Sequence, residues 1–554
     1  MAALHRPVPA EVVALCEEII AQGSGYETIA DAEAATIPVT VVVLKVRRWT
    51  ASSRLGPALE FTRVASEPTH GCKLQTADGQ WWQLANDSAT PDMVGAVAGG
   101  ASDCIAALER LTDWAGATGG EIVIPNRVYG ISRSWIINYS RIRITGLGGR
   151  EHNTGRSVIL KMPGWTSGPA IKFADGLYSF TLTDVYVLGG DFEEPDGEGE
   201  YRPGDGVWIG QSSTVELRGV HSQNHAGRGM VYDGVWKLDT YGCVSRYNGD
   251  PGDEETDPSG GGIAFLNGTR GNANHAHFAS FVNNNHGVQL DMQDGGGSTL
   301  RTNSVTFYGG QFEAGDYVEQ LSILRIESGT RVEFYGTNFA QAADIEAPAF
   351  VIGSDEDQNG CDVKFFGGFI QHNVAGPGMA GVLGENIDGL EFHGLTFLQG
   401  NSKLFDASGL SRVNTRGNFP RIHIVGGNLR YDDVVDSAKL VARSGGESVN
   451  VGRRLGGLGA SVNISSFEYD IPVDLYAYSA SNTAGTYARF GYGASINMVA
   501  FQSMVVRHVP RSAVLPDLEV GAEIYWDGTG AAPDGGANGE GLYLKKSGGW
   551  AFIA

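Results

Sequence analysis

The sequence predicts a mainly β chain built as a right-handed parallel β-helix, a solenoid of stacked coils, with small N-terminal and C-terminal β-rich domains. Three observations carry that expectation: an internal repeat, a high glycine content, and intervals between the copies that are loop-like rather than helical. Glycine is 80 of 554 residues, whereas charged residues are only 19% and hydrophobic residues 42%. A disordered chain would be more charged and less apolar, and the absence of a Gly-X-Y period excludes a collagen.

The repeat is clearest in the second half. Ser304–Glu313 (SVTFYGGQFE) aligns with Arg331–Ala340 (RVEFYGTNFA), Asp362–Gln371 (DVKFFGGFIQ), Gly389–Leu398 (GLEFHGLTFL) and Arg421–Arg430 (RIHIVGGNLR). Weaker copies precede them at Arg141–Gly146, Ser179–Asp184, Thr214–Gly219, Val235–Thr240 and His275–Ser280. Each copy alternates apolar and polar residues, turns at a Gly-like position and resumes, as short strands joined by bends do. Anchored on Gly309, Gly336, Gly367, Gly394 and Gly426, the intervals are 27, 31, 27 and 32 residues. That length suits a coil of three short strands, whereas propeller blades usually run to about 40–50 residues. The predicted inward stripe is Val305/Phe307, Val332/Phe334, Val363/Phe365 and Leu390/Phe392.

Charge and cysteine usage narrow the function classes. Lys plus Arg is 40 against 63 for Asp plus Glu, a formal charge of −23, which repels phosphate backbones and argues against nucleic-acid binding. The same field disfavours a strongly anionic polymer unless a locally positive groove receives it. The five cysteines are scattered and form no CxxC pair, the pattern of reduced thiols in a protein folded in a cytoplasm. The N-terminal stretch Glu11–Ile20 is broken by Glu17 and Glu18, so no secretory leader is expected. The longest apolar run, Val39–Leu44, is too short for membrane insertion.

Pro91–Glu109 (PDMVGAVAGGASDCIAALE), followed by Gly119–Pro125 (GGEIVIP) and Tyr129–Ser132 (YGIS), resembles the entrance of the pectate-lyase-like right-handed β-helix superfamily found in phage tailspikes, many of them polysaccharide depolymerases. The family's acidic Gly-Asp-Gly…Thr-Asp-Asp pattern is reduced here to Gly99–Asp103, and its Pro-x-Gly to Pro125-Asn126-Arg127. The match predicts a capping helix over Ser102–Ala115, with Ala106, Leu108 and Leu111 facing the first coil and Gly119-Gly120 ending it. Asp78–Leu84 is similar to the short strand that precedes such helices, and Gly541–Trp550 to a common ending of phage tail proteins. The resemblance implies residues 1–90 as a virion-attachment domain meeting a tail or baseplate protein. Residues 91–450 become the β-helix, and 451–554 a C-terminal β domain for capping and trimerisation. It further implies a homotrimer made in the host cytoplasm and carried on the virion. There it binds a bacterial surface polysaccharide (capsule, exopolysaccharide or O-antigen) and degrades it.

Outward positions form rows across the coils. The first is expected to read Arg143, Thr181, Glu216, Lys237, His277, Thr306, Glu333, Lys364, Glu391, His423, either an ion ladder or the seat of a catalytic carboxylate. The second is expected to read Arg218, Asp239, Ala279, Tyr308, Tyr335, Phe366, His393. Tyr308, Tyr335, Phe366 and His393 would then stack as a platform for sugar rings, or equally as a subunit interface. Glycoside hydrolysis needs paired carboxylates, and the candidates are Glu313, Asp316, Glu333, Asp291, Asp239 and Glu216, with Glu313 first and Asp316 or Asp291 as its partner. A lyase would instead use a base and a cation, for which His221, His225, His275, His277 and His286 lie near Arg218, Arg228 and Lys237. The low Lys and Arg content favours the hydrolase. A non-enzymatic glycan-binding fibre is the third alternative. No metal motif and no cofactor motif occurs. The acidic loops Asp191–Asp205 and Gly249–Gly261 lack EF-hand spacing.

Overall fold

The computed structural model describes residues 25–53, 58–148, 155–190 and 201–249 continuously, and beyond them chiefly strands and bends between 261 and 552. The chain divides into two compact units, residues 1–349 and 350–554.

In the first unit the chain visits three parallel sheets in turn. One coil runs Glu121–Ile124, Val128–Ile131, Trp135–Ile137, and the next Arg143–Gly146, Val158–Lys161, Ile171–Phe173. Each strand pairs in parallel with its counterpart one coil later, as Arg143 with Thr181, Val158 with Tyr186 and Ile171 with Val207. The first sheet reaches Thr330–Tyr335, the second Asn338–Gln341 and the third Ser322–Ile326. This is the predicted parallel β-helix. In the second unit Cys361–Phe366, Ile387–His393 and Arg421–Val425 pair in parallel, as do Phe369–His372 with Thr396–Gln399 and Phe350–Ile352 with Gly381–Leu383. Later come the antiparallel pair Val473–Tyr478 and Ala484–Phe490, and a mixed five-stranded sheet ending in Gly549–Phe552.

The interior is the stripe that the alternation predicts. Val305, Phe307, Val332 and Phe334 in the first unit, and Val363, Phe365, Leu390 and Phe392 in the second, are at most 1% exposed. Phe307 stacks on Phe334 with centroids 4.9 Å apart, and Phe365 on Phe392 at 5.2 Å. Each such ring contributes about 1.5–3 kcal/mol by leaving water.

Two columns of left-handed residues shape the bends. Gly219, Gly242, Gly309 and Gly336, at φ 56, 58, 66 and 64°, follow the last outward residue of the first sheet, a conformation that costs glycine nothing. At the strand entrance the column is not glycine: Arg141, Ser179, Thr214, Ser304 and Arg331 take φ of 57–62°. Thr214 is β-branched, and its strain is avoidable. Thr214→Gly is expected to raise stability by about 0.5–1 kcal/mol; a lower denaturation midpoint would contradict this.

The capping helix spans Ile105–Thr118 and ends at Gly119 with φ 78°. It starts three residues later than the sequence suggests, after Asp103, whose Oδ1 accepts from the Ile105 and Ser132 backbone N–H at 3.1 and 3.2 Å. Leu108 and Leu111 are buried as expected, but Ala106 is exposed and Ala107 takes the inward place. Trp135 Nε1 donates to Thr112 Oγ1 at 2.8 Å, which fastens the helix to the first coil. On its other side Trp114 Nε1 donates to the Leu84 carbonyl at 3.2 Å. Leu84 belongs to an N-terminal sheet of Tyr26–Thr28, Val43–Arg48, Leu59–Val64, Trp81–Leu84 and Lys73–Gln75, in that order.

One stretch of the interior is polar. Ile159 and Lys161 alternate inward on the second sheet, and Lys161 is fully buried. Its Nζ donates to the carbonyls of Pro203 and Gly204 at 2.7 and 2.8 Å. Burial, opposed by Asp205 and assisted by Arg202, pulls its pKa down to about 7. Burial likewise holds His225 well below its ordinary value. A lowered folded pKa means the unfolded chain binds more protons between the two values, so stability climbs with pH there. The window is below about 6.5 for His225 and from about 7 to about 10.4 for Lys161. The melting temperature is therefore expected to rise by about 2 °C from about pH 6.5 to about pH 8.5, above which the buried Cys72 and Cys104 thiols, their pKa raised by burial, work in the opposite direction. In Lys161→Met most of that rise should vanish; an unchanged rise would contradict the assignment.

Candidate functional site

Among the described residues, the first sheet's outward face brings several chemistry-bearing residues together. Its register departs from the expected rows at two coils. Glu216 pairs with Asp239, and Asp239 with His275, so the first row reads Arg143, Thr181, Glu216, Asp239, His275, Thr306, Glu333. The second reads Thr183, Arg218, Tyr241, His277, Tyr308, Tyr335. Lys237 and His277 thus leave the first row, and Asp239 and Ala279 leave the second. The slip is two residues at Val235–Thr240 and again at His275–Ser280. A shift of two residues preserves the parity of a strand, so the alternation cannot reveal it. The available signal was Gly242, which turns at φ 58° as Gly219 does at 56°.

In this register two acidic residues stand side by side. Glu216 and Asp239 occupy neighbouring strands at one register position, where backbones lie about 4.8 Å apart. Arg218, two residues on from Glu216 and on the same face, bonds its carboxylate through Nε. That bond, then the charges of Glu216 and Asp239, raise the guanidinium's pKa. The Arg218 guanidinium lies over the Tyr241 ring at 4.5 Å. Both acids are half-buried, and Arg218 is 53% exposed. An acid pair, a fixed cation and a ring therefore meet solvent together.

Further along the face Tyr308 stacks on Tyr335 with centroids 5.3 Å apart. Tyr335 Oη donates to Glu333 at 3.2 Å; burial, then the Glu333 charge, raises the phenol's pKa. Glu333 stands three strand spacings from Asp239, about 14 Å, too far to pair with it. In the second unit Phe366 stacks on His393 at 4.7 Å. There Glu391 accepts from Lys364 and His393 at 2.9 and 2.8 Å. Burial opposes the ionisation of Glu391, yet those bonds outweigh it and hold the carboxyl below its usual value.

The remaining candidates lie elsewhere. Glu313 is on the second sheet and accepts from Gln311 Nε2 at 2.8 Å. Asp316 and His286 lie outside the described residues. Asp291 is on the third sheet and 1% exposed. Arg325 grips it through Nε and Nη2 at 2.9 and 2.8 Å, and Arg228 through Nη2 at 3.1 Å. Of the lyase candidates, His225 is wholly buried, and His221 lies against Tyr186 with ring centroids 5.6 Å apart. Among the described residues no cluster of three or more His, Cys, Asp or Glu is arranged for a metal. Nor is any described helix long and apolar enough to cross a membrane. Cys72, Cys104, Cys243 and Cys361 are buried thiols.

No family model and no curated protein matches the chain. Solved structures do. Full-length tailspike protein 2 of an Escherichia coli O157:H7 bacteriophage is similar at 14% identity and a TM-score of 0.47, over 73% of this chain and 51% of that one. The chain thus spans about half the length of that tailspike. The tailspike protein gp49 of Acinetobacter baumannii bacteriophage Fri1, described as a capsular polysaccharide depolymerase, is similar at 12% identity and a TM-score of 0.48, over 74% and 71%. A glycan biofilm-modifying enzyme of Pantoea stewartii with a tailspike-like parallel β-helix fold is similar at 11% identity and a TM-score of 0.38, over 74% and 52%. At these identities the likeness is one of fold. On its own sheet topology the chain is a parallel β-helix, and the solved structures it is similar to include phage tailspikes of that fold.

Proposed function

We propose that the chain is a phage tailspike that binds a bacterial surface polysaccharide and depolymerises it by glycosidic hydrolysis, with Glu216 and Asp239 as the acting carboxylates. The observation that carries this reading is the shared register position of the two acids, beside Arg218 and Tyr241. Neighbouring strands give a separation near the roughly 5–5.5 Å of retaining glycosidases. Glu216, oriented by Arg218, attacks the anomeric carbon as Asp239 gives its proton to the departing glycosidic oxygen. Asp239 then takes a proton from water, whose oxygen displaces Glu216 and restores both groups. Residues 1–90 would anchor the chain to the tail, and the C-terminal elements would join three copies.

A lyase is the second reading, favoured by the Arg218 guanidinium over Tyr241, with His275 and His277 at the next register positions. Arg218 would neutralise a uronate carboxylate and Tyr241 would take the α-proton. The deciding experiment incubates the full chain with capsular and exopolysaccharides from a bacterial panel, following polymer size and ultraviolet absorbance together. Loss of size with flat absorbance is the expected result. Rising absorbance would transfer the reading to the lyase, and binding without loss of size across the panel would leave a receptor fibre.

A further inference from the structure

The acid pair has an aromatic neighbour on the side away from the Tyr241 bend. Trp236 is 52% exposed, among the most exposed large apolar side chains of the described residues. It lies in a bend that backbone hydrogen bonds hold: its N–H donates to the Ser212 carbonyl at 2.8 Å, and the Val215 N–H donates to the Lys237 carbonyl at 2.8 Å. It therefore enters the same ladder that brings Glu216 to Asp239. One coil further back, Tyr178 pairs with Ser213 and is 45% exposed. The Arg141 guanidinium lies over its ring at 5.2 Å. Trp236 thus lies in the bend two residues before the strand Leu238–Tyr241, which presents Asp239 and Tyr241, while the preceding strand presents Ser213, Glu216 and Arg218.

A protein partner would have to bury Glu216, Asp239 and Arg218 along with the tryptophan, and charged residues are depleted from the cores of such interfaces. A saccharide asks for an aromatic face with a few polar groups beside it. We propose that Trp236 is a sugar-stacking subsite. The glycan then enters at the bend that carries Trp236 and runs along the strand direction of the first sheet, over the two carboxylates to Tyr241, with Tyr178 extending the entering edge. The inference rests on the glycan-cleaving reading and adds to it where the polymer lies.

The test uses the full chain and purified capsular polysaccharides from the same panel. Binding is measured in a Glu216→Gln background by tryptophan fluorescence and by retention on immobilised polysaccharide; KM and kcat are measured in the wild-type background. Trp236→Ala and Trp236→Gln are each expected to weaken binding at least about ten-fold and to raise KM with little change in kcat. Trp236→Phe should restore most of the loss, which a purely structural role would not require. Unchanged binding and KM in folded Trp236→Ala and Trp236→Gln would overturn the subsite alone. If the wild type neither binds nor cuts any polysaccharide, the underlying reading falls and the subsite with it.

Discussion

Glu216→Gln and Asp239→Asn are each expected to lower kcat by a factor on the order of 10³, while polysaccharide binding stays within about two-fold. The amide keeps the shape and the hydrogen bonding but can neither attack the anomeric carbon nor exchange the proton. Removing both should cost little more than removing one, because the two groups act as a unit. Arg218→Ala should slow the reaction less, since the guanidinium orients Glu216 and bonds no scissile atom. Activity within about two-fold of wild type in either carboxamide variant would exclude that acid.

Asp291→Ala is expected to destabilise the fold by about 3–5 kcal/mol. Asp291 sits between Arg325 and Arg228 at 1% exposure, so its loss takes a carboxylate from two guanidiniums that are only 14% and 11% exposed, leaving Arg325 its longer pairing with Glu327 at 3.7 Å. Denaturant unfolding checks the stability, and kcat of the folded fraction checks the chemistry. A stable variant with a collapsed kcat would place Asp291 in the active centre after all.

The contrast between these acids marks how far sequence reasoning reaches. The alternation of two fixes which side chains face inward, and Val305 through Phe392 occupy those places. The bend glycines Gly309 and Gly336 are equally legible, because glycine takes positive φ at no cost and recurs after Tyr308 and Tyr335; Gly242 carries the same signal in a weaker copy. Register in the weak copies is not legible from alternation, since a slip of two residues costs the hydrophobic pattern nothing. That is why Asp239 was expected beside Arg218 rather than beside Glu216. Burial on an outward face is also hidden: Asp291 alternates like a solvated acid, and only its partners on other coils, Arg228 and Arg325, reveal it. Lys161 is the reverse case, an apparently ordinary strand lysine that the pleat turns inward, where two loop carbonyls await its amine.

The most direct test is the stereochemistry of the first product. Proton NMR, begun as the full chain meets a polysaccharide it degrades, records the anomer released before mutarotation. Two carboxylates on adjacent strands are expected to release the anomer with retained configuration. An inverted anomer, or an unsaturated sugar end, would contradict the pairing of Glu216 with Asp239 as nucleophile and acid.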